Sequence, residues 1–242
     1  MELVESIKPL LKALSKGHTV IAGQTQYGKS TAAMTMFRSK IWPIASKPCH
    51  IFVDTKHDDN LVKFGTLCRD MGEFKFHVLN GTKHIIYRPP GSTEKREVLT
   101  EMINFVFDLK GDAPRHKGHK SRPFIFFIDE VQLYSHKNAN HPGLERLSTT
   151  GLGKNILMVI MGQRFQNINA QALSQCNNKI AFYMNDQKSY LVNQGIGAFY
   201  EHAEWLRQHK YHFAYLIAGD DVLRLHTPLP LPKIGISIRD LM

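Results

Sequence analysis

The sequence predicts an α/β protein: a mostly parallel central sheet with helices on both faces and an antiparallel hairpin near the C-terminal end. Three observations carry this. Short apolar runs such as "FIFFI" (124–128) and "ILMVIM" (156–161) alternate with helical segments, as do strands buried on both faces. A glycine-rich loop, "GQTQYGKST" (23–31), lies between one strand and a helix. Two apolar runs end in polar residues, at 129–130 and 163–164, where strand ends would open onto a crevice.

The elements follow in order. Residues 1–17 read as a short amphipathic helix, with Leu3, Ile7, Leu10, Leu11 and Leu14 at helical spacing. "HTVIAG" (18–23) is a buried strand, and 30–41 a helix with Ala33, Met34, Phe37 and Ile41 on one face. A second strand covers 50–54 and a helix 59–72. Residues 74–79 and 84–89 read as two shorter strands, and 94–110 as a long helix. Buried strands follow at 123–130 and 154–164. Residues 212–229 read as a hairpin turning at Gly219-Asp220-Asp221. This gives an N-terminal extension (1–17), one domain (18–229) and a tail (230–242) that leaves a Pro-rich stretch at 228–233.

Composition bounds the rest. With 242 residues, 43% of them hydrophobic, the chain fits one large α/β domain. Its apolar runs are too short to span a bilayer, so no intrinsic membrane segment is expected. Glu2 and Glu5 interrupt the N-terminal stretch, which does not read as a secretory signal; a soluble protein is expected. Cys49, Cys68 and Cys176 form no Cys-x-x-Cys pair and read as buried thiols of a reducing compartment. A formal charge of +10 and a pI near 9.5 point to a polyanionic partner, most simply nucleic acid, or to solubility alone.

Gly23-Gln24-Thr25-Gln26-Tyr27-Gly28-Lys29-Ser30 fits the phosphate-loop pattern G-x-x-x-x-G-K-[ST]. The glycines let successive N–H groups point at a phosphate; Lys29 is expected to reach the β- and γ-phosphates of a nucleoside triphosphate, Ser30 to ligate Mg²⁺ and Thr31 to touch the α-phosphate. Gln24 to Tyr27 mainly shape the backbone; Tyr27 is large for its place and is expected to lie outward, toward solvent or a neighbouring subunit. Asp129 and Glu130 end a buried strand. Asp129 is placed to hold the Mg²⁺ shell and Glu130 to polarise water for attack on the γ-phosphate. Gln163 ends the next buried strand, where its amide can donate to a γ-oxygen and accept from water. Asp54-Thr55-Lys56 ends the second strand; Asp54 and Lys56 read either as support for the site or as helix capping.

Together "IAGQTQYGKS", "FVDTK", "FIFFIDE" and "IMGQR" resemble, in order and strand position, the motifs of the FtsK–HerA superfamily of RecA-like (ASCE) P-loop ATPases, over about residues 18 to 229. The resemblance implies ATP and Mg²⁺ as cofactors and a homo-oligomeric ring, usually hexameric, that moves double-stranded DNA. Other members carry membrane anchors or extra domains, for which 17 residues before the loop leave no room. The chain therefore looks most like the genome-packaging ATPases of tailless icosahedral viruses with an internal membrane. That implies a host-cytoplasmic or virion-associated protein whose partner is a capsid vertex or a membrane-associated protein. A conjugative or plasmid DNA translocase and a nucleotide-gated DNA-binding assembly factor are the alternatives. One departure stands out: the ring families place a trans-acting arginine before the sensor strand, whereas this chain reads "TTGLGKN", so Arg146 or Lys154 is expected to substitute. Arg164 is expected to support the sensor end of its strand. Lys110, Arg115, Lys117, Lys120 and Arg122 crowd a loop with a single acid, and Lys137 follows the carboxylates; these are candidate phosphate-backbone contacts or a solvated loop.

Overall fold

The computed structural model describes residues 3–4, 6–39, 47–89, 95–111, 119–135, 141–217, 219 and 222–230. Among them ten strands form one sheet: β1 (Leu3–Val4), β2 (Thr19–Ala22), β3 (Cys49–Val53), β4 (Thr66–Cys68), β5 (His84–Tyr87), β6 (Phe124–Ile128), β7 (Ile156–Gly162), β8 (Asn178–Ala181), β9 (Phe213–Leu216) and β10 (Arg224–His226). Their order is β1-β10-β9-β8-β2-β7-β6-β3-β5-β4. All pairings are parallel except those that β9 makes with β8 and β10. The expected C-terminal hairpin is β9–β10.

The helices are α1 (Lys8–Leu14), α2 (Lys29–Arg38), α3 (Asp59–Val62), α4 (Met71–Leu79), α5 (Lys95–Leu109), α6 (Pro142–Thr150), α7 (Ala170–Ser174), α8 (Lys188–Asn193), α9 (Ala198–Glu201) and α10 (Ala203–Gln208). The apolar runs in β6 and β7 are explained by cover on both faces. Phe124, Phe126, Ile128, Ile156, Met158 and Ile160 join one cluster with α5 and α6. The alternate residues Ile125, Phe127, Leu157, Val159 and Met161 join a second with α1 and α2. Each of these buried side chains contributes roughly 1.5–3 kcal/mol.

Three readings of the sequence need correction. The N-terminal helix is shorter than residues 1–17, since Leu3–Val4 pairs with β10 as a strand. Residues 59–72 are not one helix: α3 ends at Val62 and β4 follows. Residues 74–79, expected as a strand, belong to α4. Asp70 caps that helix, accepting from Glu73 N at 2.8 Å, while Glu73 accepts from Arg69 N at 2.7 Å. Burial follows the helical period, with Phe74 and Val78 at 0% exposure and Phe76 at 61%. β8, on the far side of β2 from β7, was not anticipated.

The sheet order matters for the site. β7 lies between β2, which feeds the glycine loop, and β6, which ends in the acids. The register aligns Val20, Ile160 and Ile128 across these three strands. Gly23, Gln163, Asp129 and Glu130 consequently leave the sheet at one edge.

Candidate nucleotide site

The glycine loop crosses that edge and enters α2. Gly23 N donates to Gly162 O at 3.2 Å and Gln24 N to Tyr183 O at 2.8 Å, so the ends of β7 and β8 grip the start of the loop. Gly23 has no space for a side chain, since a Cβ there would lie 2.6 Å from Phe182 Cβ. Gly28 sits at φ 101°, a left-handed conformation that glycine alone adopts readily, and immediately precedes α2. The helix therefore opens with Lys29 and Ser30 directed at the loop's concavity.

That concavity is a pocket of about 360 Å³, lined by the loop residues Gln24, Thr25, Gln26, Gly28, Lys29, Ser30 and Thr31. Lys56, Lys210 and Tyr211 complete it. Lys29 is 3% exposed, and burial together with the nearby Lys56 charge lowers its pKa. A buried cation under a glycine cradle at a helix N-terminus fits the phosphates of a nucleoside triphosphate.

At the end of β6 Asp129 and Glu130 are both buried. Glu130 holds a left-handed backbone, φ 47°, uncommon outside glycine and asparagine and frequent where a site imposes it. The Lys56 ammonium lies 2.5 Å from Glu130 Oε1 and 3.4 Å from Asp129 Oδ2. Gln132 Nε2 donates to the other Glu130 oxygen. Burial pushes both carboxyls up. At Asp129 burial prevails over the cations. At Glu130 it is outweighed by the Lys56 hydrogen bond and charge, aided by Lys29 and Gln132, and the pKa falls below its ordinary value. Lys56 is thus the direct counterion of Glu130. Ser30 and Asp129 are the hydroxyl and carboxylate available to a Mg²⁺ ion and its water shell beside the phosphates.

The "DTK" segment divides its work. Thr55 Oγ1 donates to Asp129 O at 3.0 Å and lies 2.9 Å from Tyr134 Oη, which pins the backbone of the acids. Asp54 turns the other way: it accepts from Arg88 Nε at 2.9 Å and from Asp58 N at 3.1 Å. The cap of α3 is Asp58, which accepts from Asn60 N at 2.9 Å, and not Asp54. Gln163 follows Gly162 at the loop's edge and is exposed. The turn beyond it is fixed from β8: Asp186, on the segment after that strand, accepts from Phe165 N at 2.8 Å and faces Arg164 Nε at 3.7 Å.

Tyr27 packs against Tyr183, ring centroids 5.1 Å apart, with Lys210 Nζ 5.8 Å above its ring. It therefore packs within its own chain. Sequence reasoning missed Lys210, Tyr211 and Asp186. Asp186 was within reach, because the apolar run "IAFYM" (180–184) that ends near it marks a strand.

The candidate trans-acting residues lie elsewhere. Arg146 on α6 donates to Asn104 Oδ1 at 2.7 Å and stacks over Phe107 at 4.4 Å. Lys154 is exposed just before β7, at the sheet edge opposite the glycine loop.

Two proposed DNA contacts are overturned. Lys110 and Arg122 are 3% and 4% exposed. Lys110 Nζ donates to the carbonyls of Lys120 and Arg122. Arg122 donates to the carbonyls of Lys47, Val78 and Thr82 at 2.8, 2.9 and 2.6 Å. They staple the edge of the sheet where β6 begins and present no charge to solvent. Lys120 is exposed. Arg115, Lys117 and Lys137 lie outside the described residues.

No protein-family model matches this sequence, and no curated protein matches it. Solved structures do match. The genome packaging NTPase B204 of Sulfolobus turreted icosahedral virus 2, in complex with ATP-gammaS, superposes with a TM-score of 0.68 at 15% identity, covering 89% of this chain and 99% of that one. B204, the DNA-packaging ATPase from Sulfolobus turreted icosahedral virus, gives 0.67 at 17% identity, covering 90% and 100%. The pCW3 conjugation coupling protein TcpA gives 0.56 at 15% identity, covering 86% of this chain and 59% of that one. The chain has the α/β fold of these NTPases, with the glycine loop and the paired carboxylates at one edge of its sheet.

Proposed function

We propose that the chain is an ATP-hydrolysing motor that translocates double-stranded DNA and packages a viral genome into a preformed capsid. One observation carries the reading: Lys29, Ser30 and Lys56 line a single glycine-lined pocket, and Lys56 joins it to Asp129 and Glu130. The fold shared with B204, over nearly the whole of both chains, supports the packaging role. Ser30 and Asp129 would hold Mg²⁺, which would supply positive charge against the triphosphate. Lys29 and the loop amides bind and orient the triphosphate. Glu130 accepts the proton of the water that attacks the γ-phosphorus as the bond to the β–γ bridging oxygen breaks and ADP leaves, and Gln163 donates to a γ-oxygen. Arg146 or Lys154 serves a neighbour's site in a homo-oligomeric ring, and Lys120, Arg115, Lys117 and Lys137 supply sequence-independent contacts to DNA phosphates. The protein acts in the host cytoplasm or on the virion, docked at a capsid vertex or on a membrane-associated partner.

The test is ATP hydrolysis by the purified chain, titrated with double- and single-stranded DNA at two salt concentrations. Stimulation by duplex DNA that weakens with salt is expected, with hydrolysis lost in Lys29→Ala and in Glu130→Gln. Normal turnover in the glutamate variant would sink the mechanism. The likeness to TcpA favours a second reading, a conjugative or plasmid translocase; relaxase genes beside this one, rather than a capsid gene, would select it. Arg146, held by its own α5, favours a nucleotide-gated assembly factor instead, which DNA-stimulated turnover would exclude.

A further inference from the structure

Gln132 lies two residues beyond Glu130, in the single 3₁₀ turn Val131–Leu133 that follows β6. The turn is firmly seated. Val131 and Tyr134 are 1% and 0% exposed. Leu133 N donates to Glu130 O at 2.8 Å and Tyr134 N to Val131 O at 3.0 Å. The Tyr134 hydroxyl meets Thr55 Oγ1, which itself holds the Asp129 carbonyl.

The Gln132 side chain turns back toward the carboxylates. Its Nε2 donates to Glu130 Oε2. An ionised carboxylate only accepts, so the amide gives it the NH₂ end and carries its own oxygen away from it. That oxygen ends against β7, 3.4 Å from where a Cβ on Gly162 would be. Gly162 is the residue before Gln163, and its carbonyl accepts from Gly23 N at the start of the glycine loop. One amide therefore spans the gap between the end of β6 and the end of β7.

The two oxygens of Glu130 have different keepers. Lys56 holds Oε1 and Gln132 holds Oε2. Lys56 lines the phosphate pocket, where a triphosphate would draw on its charge, whereas the described lining of that pocket does not include Gln132. A nucleotide can thus loosen the first contact and leave the second in place.

We propose that Gln132 is a positioning residue for ATP hydrolysis: it aims the Glu130 carboxylate so that Oε1, once released by Lys56, takes the proton of the attacking water. The inference rests on the reading of Glu130 as the base. Water gives its proton to Oε1, its oxygen bonds to the γ-phosphorus, and the bond to the β–γ bridging oxygen breaks. Gln132 touches none of these atoms. It acts through a charge-assisted hydrogen bond that fixes the rotation of the carboxylate, braced against the strand that carries Gln163.

The experiment compares the wild-type chain with Gln132→Met and Gln132→Asn. Methionine keeps the length and loses the donor; asparagine keeps the amide and falls one methylene short. Steady-state hydrolysis is measured across ATP concentration and pH, and single-turnover hydrolysis in a Glu130→Gln background. Both variants should lower kcat about ten- to a hundredfold and leave KM within about twofold, which also reports a folded pocket. Burial raises the Glu130 pKa, and the Lys56 contact, with Lys29 and the Gln132 hydrogen bond, lowers it. Without that bond the acid limb of the kcat/KM profile should move to higher pH. In the Glu130→Gln background Gln132→Met should cost less than about twofold, because a residue that acts through the carboxylate has nothing left to position. An acid limb that stays in place, an equal loss in both backgrounds, or an unchanged kcat overturns the positioning role. Normal turnover in Glu130→Gln alone overturns the base, and a wild-type chain that hydrolyses no ATP overturns the site; both results are distinguishable from a failure of Gln132.

Discussion

The Lys56 ammonium lies 2.5 Å from Glu130 Oε1, closer than any other cation in the pocket comes to that carboxylate among the ion pairs of the described residues. Lys56 is 41% exposed at its side chain and Glu130 only 5%, so the pair joins a reachable cation to a buried acid. For Glu130 to accept a proton from water, this contact must loosen. Lys56 also lines the phosphate pocket, and a γ-phosphate is a competing anion for it. In the proposed mechanism, binding of triphosphate and release of the carboxylate would be linked through this one side chain.

Lys56→Ala should move the acid limb of the kcat/KM profile, which reports the nucleotide-free enzyme, to higher pH. Lys56 holds the Glu130 pKa below its ordinary value, and without it burial pushes the carboxyl up. The variant should lose more turnover near pH 5 than near pH 8. The same shift acts on stability. A depressed carboxylate pKa stabilises the fold above the unfolded value, and that contribution is lost as pH falls through the folded one. An acid limb that stays in place in the variant would refute the assignment of Lys56 as the counterion.

Asp186→Ala should lower kcat by about ten- to a hundredfold with little change in KM, because the Phe165 and Gln166 N–H groups in the turn after Gln163 lose their acceptor. Steady-state hydrolysis across ATP concentrations measures this. A fall in melting temperature with kcat unchanged would assign Asp186 a structural role alone.

Arg122→Ala should destabilise the fold by about 2–4 kcal/mol, since three carbonyls lose a charged donor. Urea unfolding gives the number. Duplex DNA affinity per folded molecule should be unchanged, whereas Lys120→Ala should reduce its salt dependence.

Acid should unfold the protein early. Burial lowers the pKa of His18 and His50 to about 4 and of His84 to about 3. The unfolded chain binds these protons first, so stability declines as pH falls below the ordinary 6.5 and the loss is complete below the folded values. Each histidine adds a slope of up to about 1.4 kcal/mol per pH unit within that window. Unfolding free energies at pH 7, 6 and 5 test it, and a slope shallower in His84→Gln than in the wild type, by up to about 1.4 kcal/mol per pH unit, would identify that group's share.

The strands buried on both faces were legible because their pattern is continuous, and so was the chemistry at their ends. Phe74 to Leu79 misled because the short window "FKFHVL" alternates apolar and polar at its start, while the evidence for a helix lies upstream, in the Asp70–Glu73 cap. β4 was hidden inside a helical-looking stretch: among the described residues it pairs with β5 alone, and it needs just three residues. Lys110 and Arg122 looked like a basic loop, because sequence counts charges but does not reveal which carbonyls fold back over them. Lys210 and Tyr211 reach the glycine loop from more than 180 residues downstream, across a turn whose left-handed tyrosine leaves no mark in composition.

β7 extends seven residues, roughly 20 Å, with Lys154 just before one end and Gln163 just past the other. It is hydrogen-bonded to strands on both sides and covered above and below, so it has no freedom to buckle. The strand therefore holds Lys154 and Gln163 at a fixed separation, tying the two rims of the sheet together through the middle of the protein.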